Sequence, residues 1–589
     1  MKTQEHQRLK DTYQGGKEWL KWGPYLSERQ WGTVREDYSA EGDAWGSFPH
    51  DHARSRVYRW GEDGLSGISD DQQRMCFALG LWNGNDPILK ERLYGLTGPE
   101  GNHAEDVKEL YYYLDSLPTH AYMQHLYKYP HAAFPYSDLK LSNQELGRLD
   151  PEYELLDTKA FSTNNYFDVY TEYAKKSEED ILIQIRVVNR GRNAAPIWIL
   201  PHLWFRNLWA FKEMKEKPRL SLETHKKGQA YVKAEHAELG TYYFYFESSD
   251  WTLFTENETN TERLFDEPNE QPYVKDAFHR ALIDEDWEAV SPDHQGTKCA
   301  PVYKRKLVHG EEVSVRLRLS TKLQDPKTAL GKSYDDTFRL REQECDEFYG
   351  SFIKGDNADL ANIQRQAFAG MLWTKQYFHI DIPRWLEGDP GQPQPPDSRR
   401  LGRNREWQHL NNEDIISMPD KWEYPWYAAW DLAFHCVPLA MVDLEFAKNQ
   451  LVLFLREWYM HPNGQIPAYE WSFSDVNPPV HAWACLQMYK IEEQQTGKGD
   501  KEFLKRVFQK LLINFTWWVN RKDHNGNNVF EGGFLGLDNI GVFDRSSHIP
   551  GGGHLEQADG TAWMAMYSLN MLEMALILGE EGVAYEDMA

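Results

Sequence analysis

The pattern of hydrophobic and polar positions changes near residue 325. Before this point, short apolar runs separated by polar turn clusters predict strands. Runs of this kind occur at residues 181–188, 196–205 and 241–246. Residues 313–319 alternate apolar and polar with period two, and together with residues 301–307 and the turn at 309–312 they predict a β-hairpin. Many strands joined by short turns favour a large antiparallel β-sandwich.

Residues 20–135 have a different composition, which is rich in glycine, aspartate and aromatic residues. We interpret them as strands with long loops. Two short stretches, at 70–79 and 105–114, have apolar spacing that predicts helices.

After residue 325 the apolar spacing becomes helical. Residues 334–349 predict a charged helix and residues 360–377 an amphipathic one, followed by a proline-rich stretch at 387–396. Further helices are predicted at 426–437, 444–459, 480–489, 502–520 and 560–578. The predicted organisation is therefore a β-sandwich domain with long loops at 1–325, a helical linker at 326–350, and a helical domain at 351–589.

Charge and targeting features narrow the function classes. The 65 Lys and Arg against 91 Asp and Glu give a net charge of −26, which argues against nucleic-acid binding and against an anionic membrane surface. No apolar targeting segment opens the chain, and nowhere do about 18 apolar residues run together. The 5 cysteines are scattered without CxxC spacing. We predict a cytoplasmic protein with no nucleic-acid or membrane partner, no metal and no cofactor.

Aromatic residues make up 14% of the chain, with 23 tryptophans. Flat rings stack on the faces of sugars, so this composition suggests a carbohydrate ligand. A large aromatic core is the alternative explanation.

The densest group of candidate residues lies at 418–435. Pro425 favours a helix start, and Asp431 would then lie in the first two turns, close to Trp426 and Trp430. Poor solvation among indoles raises the pKa of a carboxyl group, as a general acid near neutral pH requires. His435, at i+4, has to be neutral or turned away for this role. The alternative is an Asp–His pair beside a tryptophan-rich core.

A second group surrounds Glu470, which lies between Tyr469 and Trp471 on a predicted loop before a helix. A carboxylate between rings suits hydrogen bonding to sugar hydroxyls. A loop held in place by its aromatic residues is an equally good explanation.

A third group occupies the glycine-rich stretch 531–563, which carries Asp538, Gln557 and Asp559. It contains neither phosphate-loop pattern, GxxxxGK[ST] or GxGxxG, so we reject nucleotide binding. The GxSxG and HExxH motifs are also absent, which leaves acyl transfer and metal hydrolysis without support. Carboxylates with aromatic residues on loops of a helical domain favour glycoside chemistry.

Several long motifs resemble glycoside hydrolase family 63, and together they run nearly end to end. They lie at residues 22–31, 384–389, 402–407, 417–426, 430–435 and 559–563. The family includes mannosyl-oligosaccharide glucosidases and microbial enzymes that act on small α-glucosides or mannosylglycerate. The resemblance implies a β-sandwich (supersandwich) followed by an (α/α)6 barrel. It also implies hydrolysis, with inversion, of an α-glucosidic or related bond in a small oligosaccharide or glycoside.

By this resemblance Asp431 is the general acid. The residues at the sugar subsites would be Trp426, Trp430, Trp471, Gln557 and Trp563. The family's general base lies far downstream of its acid, and we identify no base in this chain. An (α/α)6 barrel has twelve helices, whereas about six are predicted between 350 and 589, so we expect an incomplete barrel, a chain truncated at the C-terminus and uncovered apolar helix faces.

Two other functions stay open. A non-catalytic carbohydrate-binding fragment would use the same tryptophans without turnover. A glycoside phosphorylase would need only the acid, because phosphate replaces water, although no Arg, Lys and Ser phosphate site is evident in the second half. The sugar, the linkage, the aglycone and the oligomeric state are not predicted.

Overall fold

The computed structural model describes residues 3–29, 48–97, 100–102, 106–225, 229–352, 357–390, 394–401, 405, 407–422, 427–468, 477–521, 526, 530, 559–580 and 582–589. Strands dominate up to Ser320 and helices dominate after it. The predicted order, a β region followed by helices, is confirmed.

The β region contains two large antiparallel sheets and a short pair of strands. The six-stranded sheet has the order β1 (Trp22–Gly23), β2 (Leu65–Asp70), β3 (Met75–Trp82), β10 (Ala195–Phe205), β16 (Lys298–Leu307) and β14 (Trp251–Thr255). The nine-stranded sheet has the order β15 (Gln295–Gly296), β11 (Arg219–Thr224), β12 (Ala230–His236), β13 (Gly240–Phe246), β17 (Glu312–Ser320), β9 (Asp180–Asn189), β8 (Tyr166–Ser177), β7 (Tyr122–Pro130) and β6 (Tyr111–Ser116). The short pair is β4 (Gly95–Leu96) with β5 (Asp106–Val107).

Helices form most of the second half, where one further strand pair occurs, β18 (Lys375–Asp381) with β19 (Asn411–Ser417). The helices of the β region are α1 (Gln4–Gly15), α2 (His50–Ala53), α3 (Tyr136–Glu145), α4 (Thr261–Phe265) and α5 (Ala277–Ile283). Those after it are α6 (Pro326–Ala329), α7 (Lys332–Gly350), α8 (Ala358–Trp373), α9 (Ile382–Glu387), α10 (Ala429–Val442), α11 (Leu444–Leu453), α12 (His481–Thr496), α13 (Lys501–Val519), α14 (Asp559–Gly579) and α15 (Val583–Met588).

The two large sheets lie face to face around the main core. The ring of Phe77 on β3 lies 6.0 Å from that of Phe244 on β13 and 6.1 Å from that of Tyr173 on β8, measured between centroids. These rings bridge the sheets, as inward side chains do in a sandwich. The outer face of the six-stranded sheet is also covered, because Phe278 and Leu282 of α5 pack on it.

The strand predictions at 181–188, 196–205 and 241–246 are confirmed by β9, β10 and β13. The predicted hairpin is wrong. β16 pairs with β10 and β14 in one sheet, whereas β17 pairs with β9 and β13 in the other, so the turn after β16 carries the chain between sheets. Both edges of each strand are taken by partners distant in sequence.

The helices predicted at 70–79 and 105–114 are also wrong. The first stretch covers the turn between β2 and β3, and β3 is held in place by its pairing with β10. The second covers β5 and most of β6. Short apolar runs fit a strand or a helix equally well, and here sheet pairing decides between them.

The predicted helices of the second half are confirmed with shifted ends. Helix α13 begins as predicted, because Asp500 accepts hydrogen bonds from the backbone N–H groups of Glu502 and Phe503, each at 3.0 Å. Helix α8 ends at Trp373 rather than 377, since β18 begins at Lys375. Helix α10 begins at Ala429, later than the predicted 426, and continues through Pro438.

The sheets and the helices share one core. Trp373 of α8 stacks on Tyr113 of β6, with centroids 5.4 Å apart and planes 17° apart. Its indole N–H donates to the backbone oxygen of Asp115 at 3.0 Å, and Arg365 pairs with the Asp115 carboxylate. The domain limits at 325 and 350 stay a prediction.

Helix α14 is apolar on more than one face. By length and composition alone, Gly560–Gly579 could cross a membrane, although a core helix of a globular protein passes the same test. Leu569, Leu572 and Leu576 are exposed on it. The absence of a membrane partner stays a prediction.

A buried contact joins the start of the six-stranded sheet to the segment that precedes α10. The ammonium of Lys421 donates to the backbone oxygen of Pro24, and Ser27 Oγ donates to the backbone oxygen of Lys421 at 2.7 Å. The guanidinium of Arg29 lies 4.2 Å from the ring centroid of Trp422. We call this contact, between residues 24–29 and 421–422, the N-terminal clamp.

We expect Ser27→Ala to destabilise the protein by about 1–3 kcal/mol, because it leaves the buried Lys421 carbonyl without its donor. Urea denaturation measures the free energy of unfolding. Ser162→Ala is the matched control, since its exposed hydroxyl also donates to a carbonyl, that of Lys159 at 2.9 Å. Equal stability of Ser27→Ala and the control would contradict a stabilising role for the clamp.

Candidate active site

Asp431 lies in the first turn of α10, where the structure leaves it half-buried. Burial raises the pKa of its carboxyl group, and a hydrogen bond from its own backbone N–H lowers it in part. Among the described residues, no other side chain forms a hydrogen bond or an ion pair with this carboxyl. A poorly solvated carboxyl without a cationic partner holds its proton to higher pH, which suits proton donation.

Two backbone contacts fix the start of this helix. The N–H of Ala429 donates to the backbone oxygen of Ala468 at 2.9 Å, and the N–H of Trp430 donates to the side-chain oxygen of Asn477 at 3.4 Å. Ala468 and Asn477 are the described residues on either side of 469–476. These two residues are therefore tied to the helix turn that carries Asp431.

Aromatic rings from three helices meet around Trp430 and Phe434, the first of which precedes Asp431 in the chain. Trp430 lies 5.7 Å from Phe434 and 6.5 Å from Trp563 of α14 between centroids, with the two indoles nearly perpendicular. Phe434 lies 5.5 Å from Trp483 of α12. The structure thus brings together two predicted site residues, Trp430 and Trp563. Half-exposed rings of this kind offer apolar faces to a ligand.

An acid role for Asp431 requires that His435 be neutral or turned away, and the structure leaves His435 neutral. Burial lowers the pKa of His435 to about 4, so its ring is neutral at pH 7. The Nδ1 atom lies 3.1 Å from the hydroxyl oxygen of Ser417 at the end of β19. A neutral imidazole does not stabilise the Asp431 carboxylate as an imidazolium would.

Several predicted residues lie outside the described part of the chain. They are Trp426, Tyr469, Glu470, Trp471, Asp538 and Gln557. Asp559 begins α14, but its side chain is likewise not described. Their roles stay predictions.

The structure also brings together residues at the N-terminal clamp that the sequence did not indicate. Glu28 is fully buried in the N-terminal clamp, where desolvation raises its pKa to about 7 and Lys421 opposes the rise. Its Oε2 accepts a hydrogen bond from Tyr113 at 3.3 Å. Burial lowers the pKa of Lys421 to about 8, with Glu28 opposing it. No local sequence pattern reveals the contact of Glu28 with Tyr113 and Lys421. The sequence pattern also does not single out Trp483, although it lies on a predicted helix.

Metal chemistry gains no support from the described ranges. Within them, no group of three or more His, Cys, Asp or Glu residues is placed to hold a metal ion.

Comparison with known proteins gives one match at the level of a family. Residues 424–539 match the family described as the mannosylglycerate hydrolase MGH1-like glycoside hydrolase domain. The matched stretch contains Asp431, Trp430 and His435. This part of the chain is therefore similar to a glycoside hydrolase domain, and the similarity supports a glycosidase-type enzyme with a sugar substrate.

A yeast protein matches over the whole chain. The uncharacterized protein YMR196W of Saccharomyces cerevisiae (strain ATCC 204508 / S288c) is 50% identical over 632 aligned residues, which cover 100% of this chain. The chain spans 58% of the length of that relative.

Two solved structures match this chain weakly. A putative kojibiose phosphorylase from the human microbiome is 9% identical with a TM-score of 0.26, covering 96% of this chain and 66% of its own. A family GH92 α-mannosidase from Bacteroides thetaiotaomicron is 10% identical with a TM-score of 0.29, covering 95% of this chain and 74% of its own. Superpositions this poor establish no shared fold.

We expect the buried, neutral state of His435 to make stability depend on pH. Its pKa is about 4 in the folded protein against an ordinary value of 6.5. Between these values only the unfolded chain binds the proton, so the free energy of unfolding falls as the pH drops from 6.5 towards 4.

Urea denaturation of the wild type and of His435→Gln across this range measures the effect. The variant lacks the contribution of His435 to the pH dependence of stability but keeps the contribution of Asp431. The difference between the two pH profiles of the free energy of unfolding therefore isolates His435. Parallel profiles for the two proteins would show that His435 is not buried in its neutral form.

Proposed function

We propose that the chain contributes the general acid of an inverting glycoside hydrolase that cleaves an α-glucosidic or related α-glycosidic bond. The substrate is a small oligosaccharide or glycoside. Asp431 is the general acid. The observation that carries this proposal is the position of Asp431: poorly solvated, without a cationic partner among the described residues and next to Trp430 in the chain, within the stretch that matches a glycoside hydrolase domain.

The proposed reaction assigns one proton transfer to Asp431. Its protonated carboxyl donates to the glycosidic oxygen while the bond from that oxygen to the anomeric carbon breaks. Water attacks the opposite face of the sugar and loses a proton to a second carboxylate, so the anomeric configuration inverts. In inverting enzymes the two carboxyl groups are about 6.5–9.5 Å apart. That second carboxylate is unassigned in the described part of the chain.

Aromatic rings account for the sugar binding in this proposal. Trp430, which precedes Asp431 in the chain, and Trp563 form nearly perpendicular walls, and Phe434 extends the apolar surface to Trp483. Apolar pyranose faces stack on such walls. Trp426, Trp471, Glu470, Tyr469, Asp538, Gln557 and Asp559 would supply the remaining contacts.

The arrangement of helices α10 to α14 suggests part of a helical barrel. Helices α10 to α14 pack against their neighbours in sequence, as consecutive helices of an (α/α)6 barrel do. We propose that they form part of such a barrel after the β-sandwich, as in glycoside hydrolase family 63, and that the protein is cytoplasmic.

We expect Asp431→Asn to slow sugar release from α-linked glucose disaccharides by about 10²–10⁴-fold, the usual contribution of a positioned general acid. Binding of the disaccharide, measured by calorimetry, should persist because the tryptophan walls are unchanged. Asp359→Asn is the matched control, since Asp359 also lies in the first turn of a helix but is exposed, and it should keep the wild-type rate.

Three outcomes would contradict the proposal. Wild-type rates in Asp431→Asn would remove Asp431 from the chemistry. Binding without any release by the wild type would favour a carbohydrate-binding fragment. Turnover that depends strictly on phosphate would favour a phosphorylase.

A further inference from the structure

Two exposed tryptophans lie together at the edge of the six-stranded sheet. Trp251 is the first residue of β14, and Trp287 begins a one-turn 3₁₀ helix, Trp287–Ala289, after α5. Their ring centroids are 5.6 Å apart and their planes are 47° apart. Trp251 points to the outer face of the sheet, because it shares a strand face with Leu253, which packs with Phe278 of α5. The two side chains are 39% and 44% exposed, so they present a tilted pair of rings to solvent.

Backbone hydrogen bonds hold both tryptophans in place. Just before the first, the N–H of Asp250 donates to the backbone oxygen of Val302 at 2.9 Å, which ties the start of β14 to β16. Just after the 3₁₀ helix, the N–H of Ser291 donates to the backbone oxygen of Phe254 at 2.8 Å, which ties this helix to β14. The pair is therefore formed in advance, and a ligand that binds to it does not have to order the backbone.

Polar groups without partners accompany the rings. Within the described part of the chain, neither indole N–H has a hydrogen-bond partner, and the side chains of Glu288 and Lys304 form no hydrogen bond or ion pair. Glu288 is exposed and follows Trp287 in the chain. Lys304 lies on the same sheet face as Trp251, because the register of β14 and β16 pairs Trp251 with the residue two positions before Lys304. Its ammonium lies 4.8 Å from the ring centroid of Trp198.

The size of the pair decides what kind of partner it fits. An aromatic side chain offers about 150–250 Å², so the exposed fractions of the two rings leave roughly 100–200 Å² open to contact. A stable protein interface needs about 800 Å² from each partner. The exposed rings are too small for such an interface, whereas their area suits a ligand of the size of one sugar ring.

We propose that Trp251 and Trp287 form a second sugar-binding site, on the β region, which holds one pyranose ring of an oligosaccharide. The apolar C–H face of the sugar stacks on the indoles, and its hydroxyls bond to the indole N–H groups, to Glu288 and to Lys304. For the class of ligand this inference rests on the proposed function. The site takes no part in bond cleavage, and by holding one part of an oligosaccharide it raises the effective concentration of that oligosaccharide at the protein.

Fluorine NMR of the protein labelled with 5-fluorotryptophan reads this site separately from the site at Asp431. Trp251→Phe and Trp287→Phe each remove one signal and thereby assign the pair. We expect both signals to shift saturably with maltohexaose, an α-linked glucose chain, at concentrations up to about 10 mM. Trp458 is the matched control, because it is 37% exposed but has no aromatic neighbour among the described residues. Its signal, assigned with Trp458→Phe, should stay in place.

Trp251→Ala provides a second measurement. Loss of one of the two rings should weaken the binding of maltohexaose by about tenfold or more, read from the signal of Trp287. The rate of sugar release from a disaccharide should equal that of the wild type, since Trp251 has no role in the reaction. The fluorine signals report binding alone, so a protein that releases no sugar would contradict the proposed function without changing this result.

Four results would overturn the inference. The first is that neither signal of the pair shifts with maltohexaose at about 20 mM, a concentration that reveals even weak sites. The second is an equal shift with sorbitol, which has hydroxyls but no ring face. The third is an equal shift of the Trp458 signal, which would show an unspecific effect of the sugar. The fourth is a shift of the two signals when the protein alone is diluted, which would make the pair a contact between two copies of the chain.

Discussion

The N-terminal clamp is the buried polar contact that joins the β region to residues 421–422, which precede α10 and Asp431 in the chain. Lys421 is buried, and its ammonium is held by the carbonyl of Pro24 while its own carbonyl is held by Ser27. A buried ammonium and a buried carbonyl both need hydrogen-bond partners. Neither segment can therefore shift without leaving a buried polar group unpaired. The β region therefore fixes residues 421–422.

The electrostatics of the site follow from the placement of α10. With its start held by Ala468 and Asn477, α10 leaves Asp431 half-buried, and desolvation raises the pKa of its carboxyl group. One turn later, burial keeps His435 neutral, so its imidazole does not oppose that rise. Burial, rather than a charge partner, prepares Asp431 to hold a proton.

The sequence predicts the helices and strands that a local apolar pattern determines. It misses the arrangement of strands that depends on pairing between distant parts of the chain. β9 is apolar at most positions because both of its faces are covered, and α13 shows a helical apolar spacing, so both were predictable. The separation of β16 and β17 into different sheets was not, since their partners come from distant strands. Likewise Asp431 stands out by its aromatic neighbours, whereas Ser27 and Lys421 are 394 positions apart.

The rates of wild type and Asp431→Asn on glycosides with different leaving groups test the central claim most directly. The fluoride ion of an α-glucosyl fluoride leaves without being protonated. The alcohol of an alkyl α-glucoside leaves only when the glycosidic oxygen receives a proton. If Asp431 is the general acid, the variant loses about 10²–10⁴-fold on the alkyl glucoside and far less on the fluoride. An equal loss on both substrates would contradict the account, because it would show that Asp431 supports the structure and not the proton transfer.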